Sequence, residues 1–230
     1  MITMIGVDAD DTLWHSETVF ERAQERFRGL LARYHSAPAI DRVLFDTEAR
    51  NLPLYGYGVK GFMLSAIEAA ITATGGAIGA DEIQAILDTG REMLAHPIEL
   101  LPGVEEVLPA LARDYRVLLI TKGDLHHQER KVADSGLEAH FDAVEIVSEK
   151  DRAAYARVLQ RHGVAPDAFA MVGNSLKSDV LPVLALGGAG VYIPYAITWQ
   201  HERVDAAPID APRYRRLDSL RELPPILPSL

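Results

Sequence analysis

Near its N-terminus the chain contains the sequence MIGVDADDT over residues 4–12, an apolar run followed directly by acidic residues and a threonine. The apolar part has the length and composition of a buried strand. In an open parallel sheet, ligands bind beyond the carboxyl ends of the strands. The residues that follow each predicted strand are therefore the first candidates for function.

Similar short apolar runs recur later in the chain, and helical patterns separate them. Strands are predicted at Met4–Val7, Val117–Ile120, Ala143–Val147, Phe169–Val172 and Val191–Ile193. Helices are predicted at Gly103–Asp114, Leu125–Ser135, Asp151–His162 and Asp179–Leu186. This alternation predicts an α/β fold: a doubly wound parallel sheet covered by helices on both faces.

The first two strands are separated by about 100 residues, so a segment is inserted between them. Its patterns predict helices at Glu17–His35, Gly61–Thr74 and Ala80–Leu94, with a loop at Asn51–Gly61. We expect a core domain of residues 1–14 and 98–230, with residues 15–97 as a helical cap. The tail after His201 contains five prolines and is expected to wrap the core.

Composition and charge exclude several classes of function. The 230 residues are 48% hydrophobic and 24% charged, which is typical of a globular protein, and the net charge of −10 disfavours binding to nucleic acids. The absence of cysteine excludes disulfides and thiolate metal sites. The uncharged run Val180–Trp199 is interrupted by proline and glycine, and the N-terminus lacks a signal-peptide pattern. We expect a cytoplasmic enzyme without membrane segments.

The acidic pair Asp8 and Asp10 follows the first strand. Two carboxylates held close together repel each other unless a cation or a shared proton intervenes. Mg²⁺ prefers such oxygen ligands, so the pair indicates a magnesium site. The alternative is that these residues only begin a loop or cap a helix.

Polar side chains also follow the next three strands. Thr121 ends the second strand, Lys150 follows the third, and Asn174 and Asp179 lie in the loop after the fourth. Each has a structural alternative: a turn, a solvated lysine, or a loop with a helix cap at Ser178. Gathered at one sheet edge, they indicate a site for an anionic ester.

This ordered set resembles the motifs of the haloacid dehalogenase (HAD) superfamily of phosphotransferases. The family's motif DxDx(T/V), its strand-ending Thr, its Lys and its GDxxxxD motif match, in order, Asp8-Ala-Asp10-Asp-Thr12, Thr121, Lys150 and Gly173 to Asp179. They lie over residues 8–179, about three quarters of the chain. The helical insertion is similar to the C1 cap of subfamily I.

The resemblance implies a Mg²⁺-dependent phosphatase acting on a small phosphorylated metabolite. Asp8 would attack phosphorus and form an aspartyl-phosphate. Asp10 would protonate the leaving alkoxide and then activate the hydrolytic water. Thr121 and Lys150 would stabilise the charge on the phosphoryl oxygens.

The resemblance also implies a set of metal ligands. These are Asp8, the main-chain carbonyl of Asp10, Asn174 and Asp179. Asn174 departs from the family, which usually has an aspartate there. The loss of one negative charge predicts weaker metal affinity or a larger contribution from Asp179.

Substrate contacts are expected from two places. Thr12, Lys122 and Gly123 come from the core, and Tyr57 and Lys60 come from the glycine-flanked loop of the cap. A loop that only packs between helices is an equal alternative for the last two residues.

Two other functions remain open at this point. A haloacid dehalogenase would use the same Asp8 against carbon and needs neither metal nor acid, so Asp10 argues against it, although asparagine in the fourth motif also occurs among dehalogenases. A binding module that has lost turnover is the third possibility. The oligomeric state, monomer or homodimer, is left open.

Overall fold

The structure is a computed structural model that describes residues 1–204 and 210–230. Its contacts divide the chain into two compact units. The first comprises residues 1–17, 98–122 and 128–230, and the second comprises residues 18–97 and 123–127. The sequence predicts domain boundaries after residues 14 and 97, and it predicts that residues 123–127 belong to the core domain.

Along the chain, one strand is followed by a helical insertion and then by further helices and strands. The strands are β1 Met4–Val7, β2 Arg116–Lys122, β3 Ala143–Val147, β4 Phe169–Gly173, β5 Ala189–Tyr192 and β6 Tyr214–Arg216. The helices are α1 Glu17–Leu31, α2 Ala37–Tyr55, α3 Val59–Ala73, α4 Ala80–Leu94, α5 Val104–Asp114, α6 Leu125–Ser135, α7 Arg152–His162, α8 Leu181–Leu184 and α9 Leu223–Ile226.

The six strands form one parallel sheet in the order β3-β2-β1-β4-β5-β6. Successive side chains point to opposite faces of a sheet, and they enter two separate apolar cores here. Ile5 and Val7 join α5 and α6 in one core, whereas Met4 joins α7 in the other. Helices therefore cover both faces, which confirms the predicted doubly wound fold.

The second unit consists of α2, α3 and α4 with most of α1. Its core is formed by apolar residues at helical spacing, among them Phe27, Leu31, Ile40, Leu44 and Phe62. Helix α2 was not predicted, and the expected loop at residues 51–61 is helical as far as Tyr55. Three of the five buried residues of α2 are polar, so its apolar periodicity is too weak to detect in the sequence.

Two other elements differ from the prediction. The expected helix Asp179–Leu186 is a π-helical turn at Leu176–Val180 followed by α8. Strand β6 and helix α9 come from the tail. Its residues Leu223 and Leu227 pack in the same apolar core as Ile5 and Val7. Part of the tail, residues 205–209, lies outside the described residues.

No helix within residues 1–204 and 210–230 combines the length and the apolar composition required to cross a membrane. The uncharged run at residues 180–199 contains α8 and β5.

Candidate active site

Asp8 is the first residue after β1, and its main-chain nitrogen donates to Val172 O at 2.9 Å, which continues the pairing with β4. Its buried side chain is held at both oxygens. Thr12 Oγ1 donates to Asp8 Oδ2 at 3.0 Å, and Lys150 Nζ donates to Asp8 Oδ1. The carboxylate therefore has one fixed orientation.

Lys150 is almost completely buried and is shared by two carboxylates. Its ammonium donates to Asp8 and, at 2.7 Å, to Asp179 Oδ1. Burial opposes the charge of Lys150, but the carboxylates of Asp179 and Asp8 outweigh it and raise its pKa. Burial also raises the pKa of Asp8 to about 7, with Lys150 opposing the shift. One buried cation thus faces two carboxyl groups, an imbalance that a bound metal cation would relieve.

Asp10 is held by three donors. Trp14 Nε1 donates to its Oδ1 at 2.7 Å, Gln128 Nε2 donates to its Oδ2 at 3.0 Å, and Lys131 pairs with Oδ1. Burial favours the neutral acid, but Lys131 and these hydrogen bonds lower the pKa of Asp10. Trp14 itself is buried in the core, so the same side chain packs there and orients the Asp10 carboxylate.

Thr121 lies in β2 and is buried. Gln128 Nε2 donates to Thr121 Oγ1 at 2.8 Å, so the hydroxyl proton of Thr121 remains available to a ligand oxygen. Gln128 therefore links two predicted catalytic residues, Asp10 and Thr121.

The loop after β4 is shaped by a close approach. A side chain at Gly173 would place its Cβ 2.2 Å from Asp179 Oδ2, so only glycine fits there. Asp179 accepts from Ser175 N at 3.0 Å and from Lys150. A π-helical turn follows Ser175, and such turns are frequent at functional sites.

Asn174 lies where a metal ligand is expected. One terminal atom of its amide is 3.1 Å from Asp8 Oδ2 and 3.3 Å from the main-chain oxygen of Asp10. If that atom is nitrogen, it donates to both oxygens. If it is oxygen, three acceptors face one another, which is the arrangement that a hard cation requires.

The available donors fit Mg²⁺ better than a softer metal. Within the described ranges, no group of three or more His, Cys, Asp or Glu side chains has the geometry of a metal site. The oxygens of Asp8, Asp10 and Asn174 supply a carboxylate, a carbonyl and an amide instead. Mg²⁺ binds few protein ligands and retains water, so this set is compatible with it.

Asp11 has an unusual backbone for a residue with a side chain, with φ at 62°. Its carboxylate accepts from Ser16 N at 2.8 Å and from Glu17 N, at the start of α1. Burial raises the pKa of Asp11 to about 7. Asp11 thus turns the chain between the acidic loop and the helical insertion.

The predicted substrate-binding residues are divided. Thr12 lies beside Asp8. Lys122 instead contacts Ser178 Oγ at 3.0 Å and Glu202 Oε1 at 2.5 Å. Gly123, Tyr57 and Lys60 belong to the second unit, in which Lys60 Nζ pairs with Asp124 Oδ1 at 2.9 Å.

Sequence reasoning missed Gln128, Lys131 and Glu202. Gln128 and Lys131 are three residues apart in α6, so they share a face of that helix, but spacing alone does not indicate what the face contacts. Glu202 lies in an irregular segment without any periodic signal.

The comparisons with known proteins agree with this geometry. Residues 2–187 match the family model of haloacid dehalogenase-like hydrolases. The chain belongs to this family. It is therefore an HAD-like hydrolase, and the predicted resemblance is confirmed.

Individual relatives add detail. A haloacid dehalogenase-like family hydrolase from Xanthomonas campestris is 44% identical, with a TM-score of 0.90 over 99% of this chain and 91% of that chain. Mouse N-acylneuraminate-9-phosphatase is 31% identical over 60% of this chain and 55% of its own length. A 2-haloacid dehalogenase from Pseudomonas syringae, 22% identical over 100% and 99% of the two chains with a TM-score of 0.65, shares the fold alone.

Proposed function

We propose that this HAD-like hydrolase is a Mg²⁺-dependent phosphatase that cleaves a small phosphomonoester through an aspartyl-phosphate on Asp8. The observation that carries the proposal is the fixed Asp8 carboxylate, held by Lys150 and Thr12, with Asp10 two residues away. A nucleophile held in one orientation needs little reorganisation to attack.

Asp8 attacks phosphorus in line, and the bond between phosphorus and the leaving alkoxide breaks. Asp10 gives its proton to that alkoxide and later removes one from the water that attacks the aspartyl-phosphate. The bond between phosphorus and the Asp8 oxygen then breaks, which releases phosphate and restores the carboxylate. Without substrate, Lys131 favours the Asp10 carboxylate, the form needed for the second step. An arriving phosphoryl dianion places negative charge next to Asp10, which favours the protonated form needed for the first step.

The remaining residues stabilise charge. Thr121 donates its hydroxyl proton to a phosphoryl oxygen, and Lys150 supplies positive charge next to Asp8. When bound, Mg²⁺ supplies Lewis-acid neutralisation of the phosphoryl charge. Asp8, the main-chain oxygen of Asp10 and Asn174 would hold it, with Asp179 oriented behind them by Lys150.

The names of the curated relatives suggest which substrate class to test first. The name of the mouse protein, N-acylneuraminate-9-phosphatase, favours a phosphorylated sugar acid as the first ester to test. We propose that Tyr57, Lys60 and Gly123 contribute to substrate choice, whereas the ammonium of Lys122 is engaged by Ser178 and Glu202. We further propose that the protein is cytoplasmic, since it contains no cysteine for disulfides, and that it is a monomer or a homodimer. We propose no membrane partner and no nucleic-acid partner, the latter because the net charge is −10.

The proposal is tested with p-nitrophenyl phosphate and a panel of sugar phosphates, with Mg²⁺ or with EDTA. We expect Mg²⁺-dependent phosphate release by the wild type and none by Asp8→Asn. Equal release by both proteins would refute Asp8 as nucleophile.

Two observations favour dehalogenation as a second candidate: the amide at Asn174, and an Asp10 already paired with Lys131. Halide release from 2-chloropropionate that persists in EDTA would establish it. A stoichiometric burst of phosphorylation without turnover would instead identify a binding module.

A further inference from the structure

The short helical turn Gln200–Glu202, between β5 and β6, carries a carboxylate that the proposed reaction does not use. The side chain of Glu202 is 11% exposed. It accepts hydrogen bonds from Lys122 Nζ at 2.5 Å, Ser178 Oγ at 2.6 Å and Ser175 Oγ. A buried carboxylate with this many donors is strongly oriented.

The two serines belong to the loop at residues 174–179, which carries the candidate metal ligands. Ser175 Oγ accepts from Ser178 N at 3.0 Å, which closes the turn. The backbone of Ser175 is joined to Asp179 twice: Ser175 N donates to Asp179 Oδ2 at 3.0 Å, and Asp179 N donates to Ser175 O at 2.9 Å. A shift of Ser175 would therefore move Asp179.

Charge links this network to β2. Lys122 Nζ donates to Glu202 and, at 3.0 Å, to Ser178 Oγ, so ammonium and carboxylate neutralise each other beside the loop. A second bond joins the same segments, because Lys177 Nζ donates to His201 O at 2.8 Å. The segment at residues 200–202 thus contacts the loop through both charged and main-chain groups.

We propose that Glu202, together with Lys122, is a positioning residue that holds the 174–179 loop so that Asn174 presents its amide oxygen to a divalent cation and Asp179 stays oriented behind it. This inference rests on the proposed Mg²⁺-dependent function. It gives the segment after β5 a role at the cation site without direct contact with the cation. Lys122 then acts through the loop instead of contacting substrate.

The test measures Mg²⁺ binding by isothermal titration calorimetry on the full chain without substrate, so it does not depend on turnover. Glu202→Gln keeps the shape but removes the charge. We expect Mg²⁺ affinity to fall about tenfold, the lower end of the loss seen when a group hydrogen-bonded to a metal ligand is removed, because Glu202 acts on the ligands through Ser175 and Ser178. Glu145→Gln is the matched control, because Glu145 is also buried and paired, with Arg161 and His162.

A double-mutant cycle sharpens the test. Lys122→Met should weaken Mg²⁺ binding as well, and the double variant should lose less than the sum of the two single losses, because the two side chains act as one pair. If Glu202→Gln fails to fold, judged by circular dichroism, Ser178→Ala removes one link of the network and is expected to weaken binding severalfold.

The outcomes separate this inference from the proposed function. If the wild type binds Mg²⁺ and Glu202→Gln and Ser178→Ala bind it equally well, the positioning role is refuted and the proposed function stands. If the wild type binds no Mg²⁺, the proposed function fails and this inference fails with it. An equal loss in Glu145→Gln would also refute a specific role for Glu202.

Discussion

Both units of this hydrolase bury polar side chains, but they do so in different ways. In the first unit, Asp8, Lys150 and Asp179 are charged groups in direct contact, with a single lysine between two carboxylates. In the second unit, buried Asn51 donates to buried Ser65 at 3.2 Å, and the neighbouring Glu48 is also buried.

The difference supports different roles for the two clusters. Neutral hydrogen-bonded groups satisfy each other and contribute modestly to stability. Two carboxylates around one lysine leave excess negative charge in a buried site, which costs stability unless a ligand compensates it. Such a cost is common where function requires it, so we propose a catalytic role for the first cluster and a structural role for the second.

The largest expected effect is at the centre of the charged cluster. Asp8→Asn removes the proposed nucleophile, and phosphatase activity should fall at least about 10⁴-fold, as it does when a covalent catalyst loses its nucleophile. Steady-state hydrolysis of p-nitrophenyl phosphate measures this. The control is Glu48→Gln in the second unit, and comparable losses in the two variants would erase the distinction between the units.

Asp10→Asn should have the next largest effect, and its size should depend on the leaving group. Loss of a general acid costs about 10²–10⁴-fold when the departing group is a poor one. A sugar phosphate should therefore be affected far more than p-nitrophenyl phosphate, whose phenolate leaves without a proton. Equal losses of kcat/KM for both esters would show that Asp10 is not the acid, because kcat/KM reports the formation of the aspartyl-phosphate and not its hydrolysis.

Asn174→Asp should have a smaller effect of opposite sign. It adds a negative charge beside Asp8 and the carbonyl of Asp10, so Mg²⁺ affinity should rise about tenfold. Changes of this size in metal affinity are usual when groups around a metal ion are substituted. Titration calorimetry with Mg²⁺ measures the change, and Asn51→Asp in the second unit is the control. Unchanged affinity would place Asn174 outside the metal's ligand sphere.

The smallest effect on activity is expected at Glu48, where stability should change instead. Burial raises the pKa of Glu48 to about 7, from 4.5 for an exposed glutamate. The folded protein therefore binds more protons than the unfolded chain between those values, so the free energy of unfolding falls as pH rises from about 4.5 to 7 and is then level.

Glu48→Gln removes that dependence. The variant should exceed the wild type in unfolding free energy by about 1–3 kcal/mol above pH 7. Its own loss between pH 4.5 and 7 should be smaller than that of the wild type, and the remainder comes from Asp8 and Asp11, whose pKa values are also raised to about 7. Urea melts at pH 5 and pH 8 measure both quantities. A wild type whose stability rises between those pH values would contradict a buried neutral Glu48.

Much of the fold was visible in the sequence. β1 and β3 were predicted at their observed bounds, and the apolar runs for β2, β4 and β5 lie within or across the observed strands. Buried parallel strands are continuous apolar runs, so they are detectable without tertiary information. Helix α2 was not, because its buried positions include Thr47, Glu48 and Asn51, which do not look like a core face.

The candidate site divides in the same way. Four of its residues follow or end predicted strands: Asp8, Thr121, Lys150 and Asp179. Because parallel strands end at one edge of the sheet, their proximity can be predicted from the sequence. Gln128 and Lys131 required knowledge of which face of α6 meets Asp10, and a helix pattern does not contain that information.

The sequence by itself determined the type of sheet and the residues at its functional edge, because strand composition and the position after each strand are local properties of the chain. Only the tertiary structure decided which groups hold those residues in place. Glu202 contacts Lys122 across 80 positions of the chain, and Lys150 contacts Asp8 across 142. Such contacts depend on how distant segments pack, and no local pattern of residues specifies that.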